Sequence, residues 1–144
     1  TQGVSSAASD VYKRQNKRGE LGMSNELGGA SYEQISGMFE GFDWYQSKCA
    51  ATAIFPKDSA LVYLTMGLAS EAGEVAGKVK KKIRDGEPAN FKDQLASELG
   101  DVFWYLAMLT DEAGLNLSDI AFNNLNKLYK RKIKDTLKGS GDNR

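Results

Sequence analysis

The stretch "LTMGLASEAGEVAGKVKKKIRDG" (Leu64–Gly86) decides how the chain is read. It has helical periodicity. At about 100° per residue, Leu61, Leu64, Leu68, Ala72, Val75 and Val79 fall within about 80° of one another and form an apolar stripe. Gly67, Glu71, Glu74 and Lys78 form a second strip along its edge. Glu71 lies only about 20° from Leu64, so a carboxylate borders the face expected to be buried. Gly67, one turn earlier, leaves room where a side chain would otherwise sit.

A second segment, "LASELGDVFWYLAML" (Leu95–Leu109), repeats the design. Leu95, Leu99, Val102, Leu106 and Leu109 make its stripe, with Glu98, Asp101 and Tyr105 on one edge. Between the two segments, "DGEPAN" supplies a Gly/Pro turn. Glu74 and Glu98 are each 12 residues from Gly86, and Glu71 and Asp101 are each 15 away. An antiparallel hairpin therefore brings the two acidic pairs to similar heights. Four unpaired carboxylates beside a core repel one another, and their pKa values rise. A hard divalent cation such as Mg²⁺, which takes oxygen ligands, removes that penalty. Spacing alone leaves the alternative open that these are solvated edge residues. A ferritin-like di-metal bundle requires Glu-x-x-His motifs, and the chain has no histidine.

Working outward, four helices are expected at about Tyr32–Thr52, Ser59–Arg84, Phe91–Ala113 and Asp119–Leu137. Pro56 separates the first two, with Asp58 or Ser59 as cap. Gly114 ends the third, and Ser118 caps the fourth. No segment alternates like a strand. Short connections favour antiparallel neighbours, so the expected fold is an all-α four-helix bundle spanning residues 31–144. Residues 1–30 lack periodicity and read as a disordered tail. Within it, "SSAASDVYKRQ" (Ser5–Gln15) resembles a stretch met in translated shotgun reads, which makes Met23 the expected start.

Composition excludes several functions. The 144 residues suit one domain, and 19 Lys+Arg balance 19 Asp+Glu. Zero net charge disfavours binding to a nucleic-acid polymer. The absence of histidine removes imidazole acid–base chemistry and makes zinc a poor fit. Cys49 is the single cysteine, so no internal disulfide forms, and a reducing, cytoplasmic setting is expected. No apolar run reaches the roughly 20 residues of a membrane span.

In "NNLNKLYKR", Asn124, Lys127 and Arg131 share one helical face and could reach phosphates; a solvated basic helix end is the plain alternative. Trp44, Tyr45, Phe55, Trp104 and Tyr105 are core candidates, any of which could instead stack on a nucleobase. Apolar and aromatic residues on several faces of so short a bundle point to burial between chains.

The ordered set "YQ…TAIFPK…ASEAGEVAGK…LASELGD…NLNKLYKR…GSGDNR" resembles the MazG-like nucleotide pyrophosphohydrolases of the all-α NTP pyrophosphatase superfamily. The resemblance implies Mg²⁺-dependent hydrolysis of nucleoside triphosphates to monophosphate and pyrophosphate, with Mn²⁺ as a substitute. It assigns Glu71, Glu74, Glu98 and Asp101 to metal binding and catalysis. It places Lys127 and Arg131 on phosphate, with Asn124 nearby; Lys78, on the strip of Glu71 and Glu74, is a further substrate-binding candidate. Tyr45, Gln46, Thr52 and Phe55 would help enclose the nucleotide, Trp104 is a substrate-binding candidate as a stacking aromatic, and Asp142 and Arg144 of the tail are further candidates. It also implies a homodimer or homotetramer. The rival from another class is a nucleotide-binding or regulatory module without turnover, and a third reading is a purely structural helical protein.

Overall fold

The computed structural model describes residues 26–27 and 30–138. Most of the expected tail over 1–30 lies outside the described residues, as do Asp142 and Arg144. The chain divides into two units, residues 1–35 and 36–144. In the first unit, β1 (Glu26–Leu27) and β2 (Ala30–Ser31) pair antiparallel, Glu26 opposite Ser31 and Leu27 opposite Ala30. The sequence reading expects no strand here, because two residues are too few to show alternation.

Helices build the second unit: α1 (Tyr32–Cys49, whose first turn belongs to the first unit), α2 (Ala60–Asp85), α3 (Phe91–Glu112) and α4 (Leu117–Ile133). The all-α expectation holds, with boundaries displaced by a few residues. Short 3₁₀ turns at Ala50–Thr52 and Lys57–Ser59 flank Pro56, which is extended at φ −64° and ψ 123°.

The helix ends show why the chain stops where it does. Gly114 takes φ 68°, and the Leu115 and Gly114 amides donate to the Thr110 and Asp111 carbonyls at 3.0 and 2.9 Å. This is the two-bond Schellman closure expected of a C′ glycine. The same pattern ends α4, where Thr136 and Asp135 donate to Arg131 and Lys132 at 2.8 and 3.1 Å. There Asp135, not glycine, occupies the left-handed position, at φ 53°. The start of α4 corrects the expectation of a Ser118 cap. Asn116 is the N-cap and makes no side-chain cap bond. The orphan donors are met from α1 instead: Leu117 N–H donates to Gln46 Oε1 at 2.8 Å, and Ser118 N–H to Asp43 Oδ1 at 3.3 Å.

α2 and α3 form an antiparallel hairpin. Gly67 lies against the Tyr105 ring, Lys78 pairs with Glu98 at 3.2 Å, and Lys82 Nζ stands 4.4 Å from the Phe91 ring centre. Gly67 and Tyr105 are each 19 residues from Gly86, so the register is the one obtained by counting.

The core lies toward one end of this hairpin. Cys49, Leu64, Ala107, Met108 and Leu117 form the buried cluster, with Phe42, Tyr45, Phe103 and Leu106 packed around it. Leu64 is fully enclosed, worth about 1.5–3 kcal/mol of transfer free energy. The predicted α2 stripe is only partly covered. Leu68 and Val75 are half-buried, but Leu61 and Val79 are 54% and 40% exposed and Ala72 also faces solvent. Periodicity located the apolar face correctly. It overstated the cover, because the core sits at the Leu64 end.

Candidate active site

The hairpin register brings acids from two helices together. Carboxylate oxygens of Glu71, Glu74 and Glu98 lie within 4.8 Å of one another. Glu71 and Glu74 are one turn apart on α2, and Glu98 faces them from α3. Glu71 has its pKa raised, first by burial and then by the charges of Glu74, Asp101 and Glu98. Asp101, the fourth expected ligand, is exposed and stands outside the three-oxygen cluster, yet its charge reaches Glu71, Tyr105 and Tyr45. Lys78 closes the other side through its ion pair with Glu98.

Aromatic residues adjoin the acids. Gly67 lacks a side chain where the Tyr105 ring lies, so α2 and α3 approach closely one turn before Glu71. Tyr105 has its pKa raised by burial, by a hydrogen bond with Tyr63 and by the nearby negative charges of Glu71 and Asp101. Tyr63 stacks on Phe55 at 5.8 Å, and Trp104 meets Tyr105 edge-on at 5.0 Å. Trp104 Nε1 donates to Thr52 Oγ1 at 2.8 Å. Thr52 and Phe55, two of the four expected nucleotide-enclosing residues, and the stacking candidate Trp104 therefore join one patch next to the carboxylates.

The other two, Tyr45 and Gln46, serve the interior. Tyr45 stacks on Phe103 at 4.7 Å, and its pKa is pushed up to about 12 by burial, a hydrogen bond with Cys49 and the charge of Asp101. Gln46 is buried; besides capping α4, its Nε2 donates to Asp111 Oδ1 at 3.2 Å and to the Leu115 carbonyl at 3.0 Å. Its amide ties α1 to the α3–α4 connection. On α4, Asn124 and Lys127 are exposed while Arg131 is 6% exposed, held inside the fold rather than offered on a solvated basic face. The carboxylate cluster itself is built by α2 and α3 alone.

Sequence reasoning passed over Tyr63. Its signal was available: Tyr63, Gly67 and Glu71 follow at intervals of four, which extends the acidic strip by one turn.

Comparison with known proteins decides the lineage of this arrangement. The family model of the MazG nucleotide pyrophosphohydrolase domain matches residues 61–134, which include all four acids. The chain belongs to the MazG nucleotide pyrophosphohydrolase family. The "Gene 37 protein" of Mycobacterium phage L5 is similar to it, 47% identical over 111 residues, covering 71% of this chain and 97% of the phage protein. No solved structure matches significantly. Within the MazG domain, the matched span runs through α2, α3 and α4, so the acidic hairpin and the basic α4 both belong to it.

The residues fit a divalent cation. The donors are hard carboxylate oxygens on two helices, and mutual repulsion together with burial already disfavours the ionised form of Glu71. No thiolate or imidazole is near that would select a softer metal.

Proposed function

We propose that the protein is a Mg²⁺-dependent nucleoside triphosphate pyrophosphohydrolase, converting ribo- or deoxyribonucleoside triphosphates to the monophosphate and pyrophosphate. The observation that carries this reading is the convergence of Glu71, Glu74 and Glu98 oxygens within 4.8 Å inside a MazG domain. When bound, the cation supplies charge stabilisation at the phosphate oxygens and favours ionisation of water. Mn²⁺, also an oxygen-seeking ion, substitutes.

Glu71, Glu74 and Glu98 hold the cation, with Asp101 completing the acidic site. Water attacks the α-phosphorus; the bond from that phosphorus to the oxygen bridging to the β-phosphate breaks, and pyrophosphate leaves with that oxygen. The water's proton passes to one of the site's carboxylates. Lys78 offsets negative charge on the leaving group. The patch of Phe55, Tyr63, Trp104 and Tyr105 receives the base, since any nucleobase presents a flat π face.

A homodimer or homotetramer is part of the proposal. Val62 and Met66 on α2 are 61% and 66% exposed, and Leu128 and Ile133 on α4 are 38% and 82% exposed. Burying these faces between copies lets the exposed Asn124 and Lys127 act near phosphates at a neighbouring chain's carboxylates. The free, buried Cys49 suits a reducing compartment, the cytoplasm. No described helix is long and apolar enough to cross a membrane.

The test is a panel of NTPs and dNTPs incubated with and without Mg²⁺, with products identified. Pyrophosphate and monophosphate are expected, with turnover abolished by Glu74→Gln. Release of orthophosphate, or full activity in that variant, refutes the reading; nucleotide binding without any product favours a non-catalytic module.

A further inference from the structure

A cleft of about 330 Å³ lies at the α2–α3 turn, below the acidic cluster. Its polar walls are Lys78, Lys81, Lys82, Asp85, Glu87 and Gln94. Lysines in a last helical turn satisfy the helix dipole, and most do nothing else. Two observations set these apart. Three lysines of α2 line one concave space together with Gln94 of α3, whose Nε2 spends one N–H on Asn90 Oδ1 at 2.9 Å and keeps the other. Furthermore, Lys78 is shared between this cleft and the acidic cluster, where it holds Glu98 at 3.2 Å.

The two acids in the wall have partners. Glu87 pairs with Lys82 at 2.8 Å, and Asp85 is held by Arg84 through two 2.6 Å hydrogen bonds that keep its carboxyl below the ordinary range. Adding Arg84, which lies on Asp85 just outside the wall, and Glu98, which holds Lys78, the local balance is four cations against three anions, with Lys81 as the cation left over. A cation held by the carboxylates would compete with Lys78 for Glu98, and Lys78 already lines the cleft. From Glu74 to Lys82 the helix rises about 12 Å, a span that an extended phosphate chain and flexible lysine arms bridge together.

We propose that this cleft is a diphosphate-binding site, with Lys78, Lys81 and Lys82 as its cations and Gln94 as a neutral donor. The inference rests on the pyrophosphohydrolase reading for its place in the reaction, but the binding itself does not require turnover. The diphosphate is either the β,γ-portion of the substrate or free pyrophosphate. Cleft occupancy by the first fixes the triphosphate's direction across the carboxylates, and by the second makes pyrophosphate a retained product.

The test uses inorganic pyrophosphate as probe, titrated calorimetrically into the full chain with Mg²⁺ present. The Lys81→Ala/Lys82→Ala variant is compared with Lys48→Ala/Lys132→Ala, which removes equal charge from exposed positions elsewhere, and thermal melts confirm that both fold. The expected result is a Kd at least tenfold weaker in the first variant and within twofold of wild type in the second. Equal weakening in both, unchanged affinity in the first, or no pyrophosphate binding by wild type overturns the proposal. A KM for triphosphate that rises in step assigns the site to the substrate's β,γ-phosphates; an unchanged KM assigns it to released pyrophosphate. Selective loss of pyrophosphate binding in a protein that hydrolyses no triphosphate upholds the cleft and refutes the enzymatic reading. Hydrolysis with pyrophosphate affinity untouched in the variant does the reverse.

Discussion

Replacing Gly67 with alanine tests the contact that sets the distance between the two acid-bearing helices. A Cβ at this position falls on the Tyr105 ring, with Cε1, Cδ1 and Cζ as its nearest neighbours. The ring has little freedom to retreat, lying 6.5 Å from the Tyr63 ring and set edge-on to Trp104 at 5.0 Å. Overpacking of this kind costs about 1–3 kcal/mol. Alanine recovers about 1 kcal/mol of helix propensity over glycine, so the expected net loss is up to about 2 kcal/mol. Removing the ring reverses the sign. In a Tyr105→Ala background, or Tyr105→Val if the alanine variant is too unstable to purify, Gly67→Ala is expected to stabilise by about 1 kcal/mol. The difference, about 1–3 kcal/mol of coupling, is read from urea unfolding of the four members of the cycle. Mg²⁺ should also raise the melting temperature less in Gly67→Ala than in wild type, because a displaced Tyr105 spreads the carboxylates. If Gly67→Ala has the same effect in both backgrounds within about 0.5 kcal/mol, the close approach is not what positions the hairpin.

Other outcomes follow from single features. Asp135→Gly should stabilise by about 0.5–1 kcal/mol in urea unfolding, since it relieves a left-handed residue at the end of α4 without removing a backbone bond. Gln46→Leu should destabilise by about 1–3 kcal/mol and speed hydrogen exchange at the Leu117 amide, whose buried donor loses its acceptor. In the absence of metal, melting temperature should rise as the pH falls from neutral toward the ordinary carboxylate range. The Glu71 pKa is raised by burial and by Glu74, Asp101 and Glu98, so its contribution is fully present below the unfolded value and is lost as pH rises through the folded one. Saturating Mg²⁺ should flatten that slope, and Glu71→Gln should remove much of it; a slope equal in wild type and Glu71→Gln refutes the assignment.

The sequence made the hairpin legible because both constraints on it are local. Gly86 and Pro88 place the turn, and helical pitch carries the count outward to Gly67 and Tyr105 on one side and the acids on the other. Three of the four carboxylates then meet as counting requires, whereas Asp101 stands outside that cluster although its charge reaches Glu71: counting gives height along the hairpin, not the rotation of each helix about its axis. Contacts between distant segments left no such trace. Gln46 caps a helix 71 residues away, and nothing in "YQSKC" distinguishes a capping glutamine from one facing a ligand. The burial of Arg131 and the exposure of Leu61 and Val79 have the same origin: periodicity assigns a residue to a face, and what covers that face is decided by other elements.

The fold and the proposed chemistry meet in the stiffness of the hairpin. Carboxylates on loops would move apart and lose their repulsion. Here Glu71 and Glu74 are fixed to a 26-residue helix and Glu98 to a 22-residue one, and the contact of Gly67 with Tyr105 one turn away holds the two helices close. The repulsion is therefore retained in the folded chain, where it adds to burial in raising the Glu71 pKa. Lys78 offsets part of it through Glu98, at an ordinary ion-pair distance that leaves Glu71 and Glu74 facing each other. An arrangement with this residual strain discriminates by charge: a divalent cation relieves it more than a monovalent one, and the cation's remaining positive charge is what attracts a polyphosphate to an acidic surface. Under the proposed function, a cation that drew Glu98 away would leave Lys78 free for the leaving group's phosphates.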